Sequence, residues 1–209
     1  MEVCFLMDRF GYMKLIDKNA YERNKEAVHN ENKYVFNCMN TDKICIFTDT
    51  GKMHTIKAVD IPLGRFRDKG TPVDNLSNYD SSQERMLYVA PVGQLRSDRL
   101  LFVTKTSMCK LVEGAEFDVA KRTIASTKLA DEDELIFIGS ASEMEQIVLQ
   151  SHGGCFLRFL AQEVSTMKKT ALGVRGMKLA DDDYLEHAYL LAGHQEYTIS
   201  YHDKEYALN

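Results

Sequence analysis

The stretch IFTDTGKMHTIK, Ile46–Lys57, reads as two short β-strands joined at a glycine. Ile46, Phe47 and Thr48 are β-branched or aromatic, and Asp49-Thr50-Gly51-Lys52 carries turn chemistry. Gly suits this place because a tight hairpin turn needs φ > 0, which a side chain opposes. The phrase recurs as FLMDRFGYMKLI (Phe5–Ile16), FVTKTSMCKLV (Phe102–Val112), VLQSHGGCFLRF (Val148–Phe159) and, more weakly, TISYHDKEYAL (Thr198–Leu208). The turn positions are Gly11, Gly51, Ser107, Gly154 and Lys204, spaced by 40, 56, 47 and 50 residues. A period of about 40–50 residues marks a propeller or a solenoid.

Working outward from the hairpins, a looser segment with a basic cluster follows three of them: Gly64–Pro72, Ala120–Ile124 and Lys168–Gly176. A further strand is predicted at Ile124–Leu129 and Val174–Leu179. An acidic turn comes next in the last two cases (Asp131–Glu134 and Asp181–Asp183), and then an apolar strand, Leu135–Ile138 or Tyr184–Leu190. Four strands per repeat is what a propeller blade requires. The predicted fold is therefore all-β, with four four-stranded blades and part of a fifth. It forms a single domain over 1–209, with approximate repeats 1–42, 43–96, 97–145, 146–192 and 193–209. Helical periodicity is hard to find, and its best stretch, Ser142–Leu149, is short and ends in strand-like residues. Pro62, Pro72 and Pro91 read as edges or loops.

A hydrophobic fraction of 44% suffices for a core over 209 residues. The balance of 26 Lys+Arg against 31 Asp+Glu gives a net charge of −5, whereas nucleic-acid-binding domains are usually basic overall. What matters more is where the positive charge sits. Arg67, Arg122 and Lys169 each follow their turn residue by about 15 positions. Equivalent blades would bring them to one location, in a band with Lys57, Arg65, Lys69, Lys121, Lys128, Lys168, Arg175 and Lys178. Such a band neutralises phosphates even on an acidic protein. Any one cluster alone reads better as a solvated face, and it is the recurrence in phase that favours a binding rim.

Five scattered cysteines (Cys4, Cys38, Cys45, Cys109, Cys155) without a CxxC pair argue against a zinc site or a disulfide framework and fit a reducing cytoplasm. No apolar run approaches the roughly 18–20 residues that span a bilayer, so no membrane contact is predicted. Asp8 and Arg9 interrupt the N-terminal apolar stretch too early for a signal peptide.

The phrases GKMHTIKAVDIP…KGTPVDNL (51–76), FDVAKRTIASTKLADEDELI (117–136) and ALGVRGMKLADDDYL (171–185) resemble the C-terminal domain of the A subunit of bacterial type IIA DNA topoisomerases, the gyrase and topoisomerase IV family. The resemblance covers nearly the whole chain and keeps the order of the repeats. It implies a β-pinwheel, a propeller-like disc in which neighbouring blades exchange a strand and duplex DNA lies on a basic outer edge. It implies no bond-breaking chemistry in this chain, and places the ATP and Mg²⁺ of the parent enzyme elsewhere. The partners implied are double-stranded DNA, the B subunit, plus the remainder of the A subunit, in a cytoplasmic, nucleoid-associated setting. Gyrase A also carries a box, Gln-Arg-Arg-Gly-Gly-Arg/Lys-Gly, on which wrapping depends. The matching stretch here, Tyr21–Val28, offers only Arg23 and Lys25, cancelled by Glu22 and Glu26, and no glycine. That departure leans towards topoisomerase IV, or a divergent gyrase, with weak wrapping.

The residues expected to contact DNA are Arg65, Arg67, Lys69, Lys121, Arg122, Lys168, Lys169 and Arg175, acting by phosphate neutralisation rather than base reading. Gly70, Gly173 and Gly176 read either as points of close phosphate approach or as turn formers. Asp131-x-Asp133 and Asp181-x-Asp183 superficially suggest metal ligands, but their recurrence at equivalent places favours β-turns. The histidines (29, 54, 152, 187, 194, 202) have no ligand spacing, and no catalytic residue is assigned. A second reading, motivated by the net charge and the poor box, is a propeller-like protein-interaction scaffold with weak or lost DNA binding.

Overall fold

The central strands carry unbroken apolar runs because both of their faces are buried. In Lys43–Thr48, for example, every residue after Lys43 is buried. A sheet sandwiched between two others gains from apolar side chains on both sides, so the polar–apolar alternation of a half-exposed strand is missing. The computed structural model of the chain describes residues 1–193 and 196–208.

Five hairpins run along it: β1–β2 (Glu2–Met7, Tyr12–Ile16), β4–β5 (Lys43–Thr48, Lys52–Lys57), β8–β9 (Arg99–Thr104, Met108–Glu113), β12–β13 (Gln146–Ser151, Phe156–Leu160) and β16–β17 (Tyr197–Tyr201, Lys204–Leu208). Long return strands β3 (Tyr34–Met39), β7 (Met86–Pro91), β11 (Leu135–Ser140) and β15 (Leu185–Leu191) pair antiparallel with the first strand of their own hairpin. Three short strands behave differently. β6 (Thr71–Pro72), β10 (Thr123–Ala125) and β14 (Val174–Arg175) each follow a hairpin but cross back to the second strand of the hairpin one repeat earlier, β2, β5 and β9. The result is a β-pinwheel: three four-stranded sheets, each completed by its successor, then the three-stranded β13-β12-β15 and the hairpin β16–β17.

The exchanged strands are shorter than the predicted Ile124–Leu129 and Val174–Leu179. Ala125 already pairs with Lys52 and Arg175 with Met108, the first residues after the recipient turns, so the ladder runs out there. Ser142–Leu149 is not helical, and Gln146–Ser151 is the buried strand β12. Two helices absent from the sequence reading, α1 (Lys18–Arg23) and α2 (Lys25–Glu31), lie between β2 and β3. At six and seven residues they are too short to show a period. Asp17 caps α1 by accepting from the Ala20 N–H at 2.8 Å. Ala20 and Val28 then cover the outer face of the first sheet at Cys4, Leu6 and Ile16.

Four of the turns sit where the sequence puts them, with φ of 82° at Gly11, 76° at Gly51, 72° at Ser107 and 86° at Gly154. The fifth is shifted: His202 and Asp203 hold the positive φ values, 48° and 59°, and Lys204 already belongs to β17. Between the sheets lie three cores. Phe5, Met13 and Leu15 meet Ile44, Ile46 and Val89. Cys45, Phe47 and Met53 meet Leu100, Phe102 and Phe117. Leu101, Val103 and Cys109 meet Ile147, Leu149 and Leu185.

Candidate nucleic-acid interface

Two of the basic clusters are loops held at both feet by a neighbouring sheet. In the first, the Leu15 N–H donates to Pro62 O at 3.1 Å and the Gly64 N–H donates to Leu15 O at 2.9 Å. The chain then bulges out through Arg65–Lys69 and returns as β6 against Met13 and Tyr12. In the second, the Leu111 N–H donates to Ser165 O at 3.1 Å and the Met167 N–H donates to Leu111 O at 2.8 Å. The chain bulges through Lys168–Leu172 and returns as β14 against Cys109. Leu15 and Leu111 occupy the same place, four residues after the turn residues Gly11 and Ser107. The third cluster, Lys121–Arg122, is a tighter approach to β10, tied by the Thr55 N–H donating to Arg122 O at 2.8 Å.

Beneath each segment lies a polar side chain three residues after the turn. Lys14 Nζ donates to Phe66 O and, at 2.7 Å, to Asp68 O. Lys110 Nζ donates to the carbonyls of Lys168, Lys169 and Ala171 at 3.3, 3.0 and 2.6 Å. In the second sheet, where the loop is tight, His54 stands there instead, its Nδ1 2.9 Å from Thr123 Oγ1. Lys110 is 1% exposed, and burial pushes its ammonium pKa down to about 8 against the opposing pull of Glu116.

The predicted contact residues divide into free and tethered cations. Arg65, Arg67, Lys121, Lys168 and Arg175 are exposed, and among the described residues their charged groups have no hydrogen-bond partner. Lys69 is exposed with its ammonium 4.8 Å from the Tyr12 ring. Arg122 Nη2 donates to Leu76 O at 3.1 Å, and Lys169 Nζ donates to Glu116 O at 3.3 Å. These two stitch adjacent repeats together. Within 4.0 Å, none of the eight pairs with a carboxylate among the described residues; the ion pairs found there use Lys18, Lys43, His54, Arg85, Arg96, Lys105 and His152.

The glycines named with them serve the fold. A Cβ on Gly70 would meet Met13 O at 2.7 Å, and one on Gly173 (φ 103°) would meet Cys109 O at 2.7 Å. Both permit the exchanged strand to close on its recipient. A Cβ on Gly176 would meet Cys109 Sγ and Leu149 Cδ1, both at 2.8 Å. The acidic turns bind backbone: Asp133 Oδ1 accepts from the Thr106 and Glu134 N–H groups, and Asp183 Oδ1 accepts from Gly153 and Tyr184. Glu132 and Asp182 hold their left-handed corners at φ 60° and 66°. His54 is buried against Glu84 and His152 pairs with Glu186, while His194 lies outside the described residues. The stretch Tyr21–Val28 lies on α1 and α2, and Arg23 Nε is spent on Asn19 O.

Sequence reasoning missed Lys14 and Lys110. Their signal was legible: a lysine inside otherwise apolar phrases, Tyr12-Met-Lys-Leu-Ile16 and Met108-Cys-Lys-Leu-Val112, at one phase relative to the turn.

Comparison with known proteins gives a concordant picture. The family model described as "DNA gyrase C-terminal domain, beta-propeller" matches residues 42–81, 98–142 and 145–192, more than half of the chain. The A subunit of DNA gyrase from Lawsonia intracellularis is 25% identical over 207 residues, which cover 93% of this chain and 25% of that protein. The A subunit of DNA topoisomerase 4 from Bacillus subtilis is 29% identical over 153 residues, covering 72% of this chain and 19% of that protein. The chain thus spans a quarter or less of the length of these relatives. The crystal structure of the C-terminal domain of DNA topoisomerase IV superposes with a TM-score of 0.83 at 22% identity, over 94% of this chain and 63% of that one.

Proposed function

The chain belongs to the family of DNA gyrase C-terminal domains, and from that premise we propose that it is a non-catalytic element that holds and bends duplex DNA on its basic outer rim. It would thereby guide strand passage and supercoiling by a gyrase or topoisomerase IV whose other segments, in both kinds of subunit, carry the chemistry. One observation supports this above the others. The bulged loops of the exchanged segments expose Arg65, Arg67 and Lys168 without carboxylate partners among the described residues, although the chain has a net charge of −5. Unpaired cations at one phase of a repeat release counterions when phosphates replace them.

Binding of a linear duplex across a salt series tests this. Affinity falls steeply with salt, and charge reversal at Arg67, Lys168 and Arg175 flattens the slope by about 0.9 per lost phosphate contact. Binding that ignores salt, or ignores those changes, overturns the reading. A second reading, a protein-interaction scaffold, draws on β13, whose outer edge has no partner strand among the described residues and exposes Phe156, Leu157 and Leu160. Failure of duplex DNA to bind even at low salt favours it.

A further inference from the structure

We infer that Lys14 and Lys110 are positioning residues for the DNA rim: each holds an ammonium beneath a basic loop, half-buried at Lys14 and buried at Lys110, turns that loop's carbonyls inward and so presents its arginine and lysine side chains to phosphate. The inference rests on the DNA-binding reading above and deepens it.

The geometry carries the argument. Both lysines stand three residues after a hairpin turn, on β2 and β9. Both are followed by a leucine that clamps one foot of the loop, at Gly64 and Met167 respectively. Both loops end at a glycine just before the exchanged strand, Gly70 or Gly173, where an added Cβ would meet the carbonyl of the residue before the lysine, Met13 or Cys109. Lys14 takes two carbonyls of its loop and Lys110 takes three. A bulged loop has carbonyls without ladder partners, and an ammonium with three N–H groups satisfies several at once. Where the segment is tight, at Lys121–Arg122, no bulge needs filling and the same position is His54.

A cation chelated from below does two things. It fixes which groups of the loop face solvent, and it adds positive potential under the place where phosphate would lie. Among the described residues the charged side chain acting on Lys110 is Glu116, from the turn after β9; Lys168 and Lys169 of the loop meet it through their backbone carbonyls, and the Phe102 ring lies 5.6 Å away on β8. Duplex binding therefore favours the protonated form of Lys110, which makes affinity and protonation reciprocal.

The experiment measures duplex affinity of this chain and of Lys110→Met at low salt between about pH 7 and about pH 9.5. At the acidic end the variant binds roughly tenfold more weakly. As pH passes about 8, the affinity of the unaltered chain falls towards that of the variant, and the gap closes because both then lack the buried charge. A loss of packing alone would leave the gap independent of pH. Lys14→Met, in the more accessible loop, weakens binding in the same direction and serves if Lys110→Met does not fold. Salt-sensitive binding that falls on Lys168 charge reversal, but is untouched by Lys110→Met and Lys14→Met, overturns the positioning role and leaves the DNA reading standing. No binding by the unaltered chain at low salt overturns the DNA reading itself.

Discussion

His54 Nε2 lies 2.8 Å from Glu84 Oε2, and the two side chains are 2% and 4% exposed. They stand at the junction of three segments, since His54 comes from β5, Glu84 leads into β7 and the other ring nitrogen meets Thr123 of the exchanged strand. Asn78 Nδ2 donates to Thr123 Oγ1 at 2.9 Å. The network is complete if Thr123 then donates its hydroxyl proton to His54 Nδ1 and Nε2–H donates to Glu84. Burial alone would raise the Glu84 pKa, but hydrogen bonds from Thr48 and His54 outweigh it and hold the carboxyl below the usual value.

Removing one partner of that pair leaves the other buried and unsatisfied. Glu84→Ala is expected to cost about 3 kcal/mol in denaturant unfolding, with Glu84→Gln milder because it keeps an acceptor. The lowered pKa fixes the pH sign. The contribution is present above pH 4.5, the ordinary value, and disappears as pH falls through the lower folded value. Acid unfolding of Glu84→Gln therefore lacks that component.

Ser107 separates two effects that glycine hides at the other turns. It sits at φ 72°, and its Oγ accepts from the Met177 N–H at 2.7 Å. Ser107→Ala keeps the strained backbone and loses the acceptor, so a loss of about 1–2 kcal/mol is expected. Ser107→Gly loses the same acceptor but relieves the strain, and should be the more stable of the two in chemical denaturation. The reverse order would mean that the left-handed backbone at position 107 carries little strain.

Gly70 and Gly173 are predicted to be intolerant of alanine, each by at least about 2 kcal/mol, because a Cβ there meets a recipient carbonyl at 2.7 Å. Hydrogen exchange gives the specific readout. Amides of Tyr12 and Met13 lose protection in Gly70→Ala, and those of Met108 and Cys109 in Gly173→Ala, since these face the exchanged strands.

Alkaline pH should destabilise the fold. Burial pushes the thiol of Cys4 up to about 11 and those of Cys38, Cys45 and Cys109 up to about 12. Unfolded thiols ionise near the ordinary value of 9.0, so the stabilisation is full below it and is lost as pH rises through the folded values. Thermal unfolding at rising pH measures this. Cys45→Ala and Cys109→Ala should each flatten the alkaline fall in Tm.

The hairpins and their phase could be read from the chain because they are local. A glycine or serine forced to φ > 0 between two apolar runs declares itself within twelve residues. The exchanged strands were less legible, since two or three residues such as Thr71–Pro72 and Val174–Arg175 carry no period and take their length from the distance to a neighbour's turn. The candidate interface divided along the same line. The clusters were visible as charge, but nothing local says that Arg122 reaches Leu76 O or that Lys169 reaches Glu116 O. Both contacts join positions about fifty residues apart. Helices α1 and α2 hid for want of length.

Strand exchange makes these repeats unequal in time. A sheet of this chain cannot close until the repeat after it has been synthesised: β2 waits for Thr71, β5 for Thr123 and β9 for Val174. During emergence from a ribosome the leading edge is always an unfinished sheet, so folding follows synthesis one repeat behind. Deleting a single repeat would also injure two, which sets this architecture apart from solenoids whose units end where their sequence does.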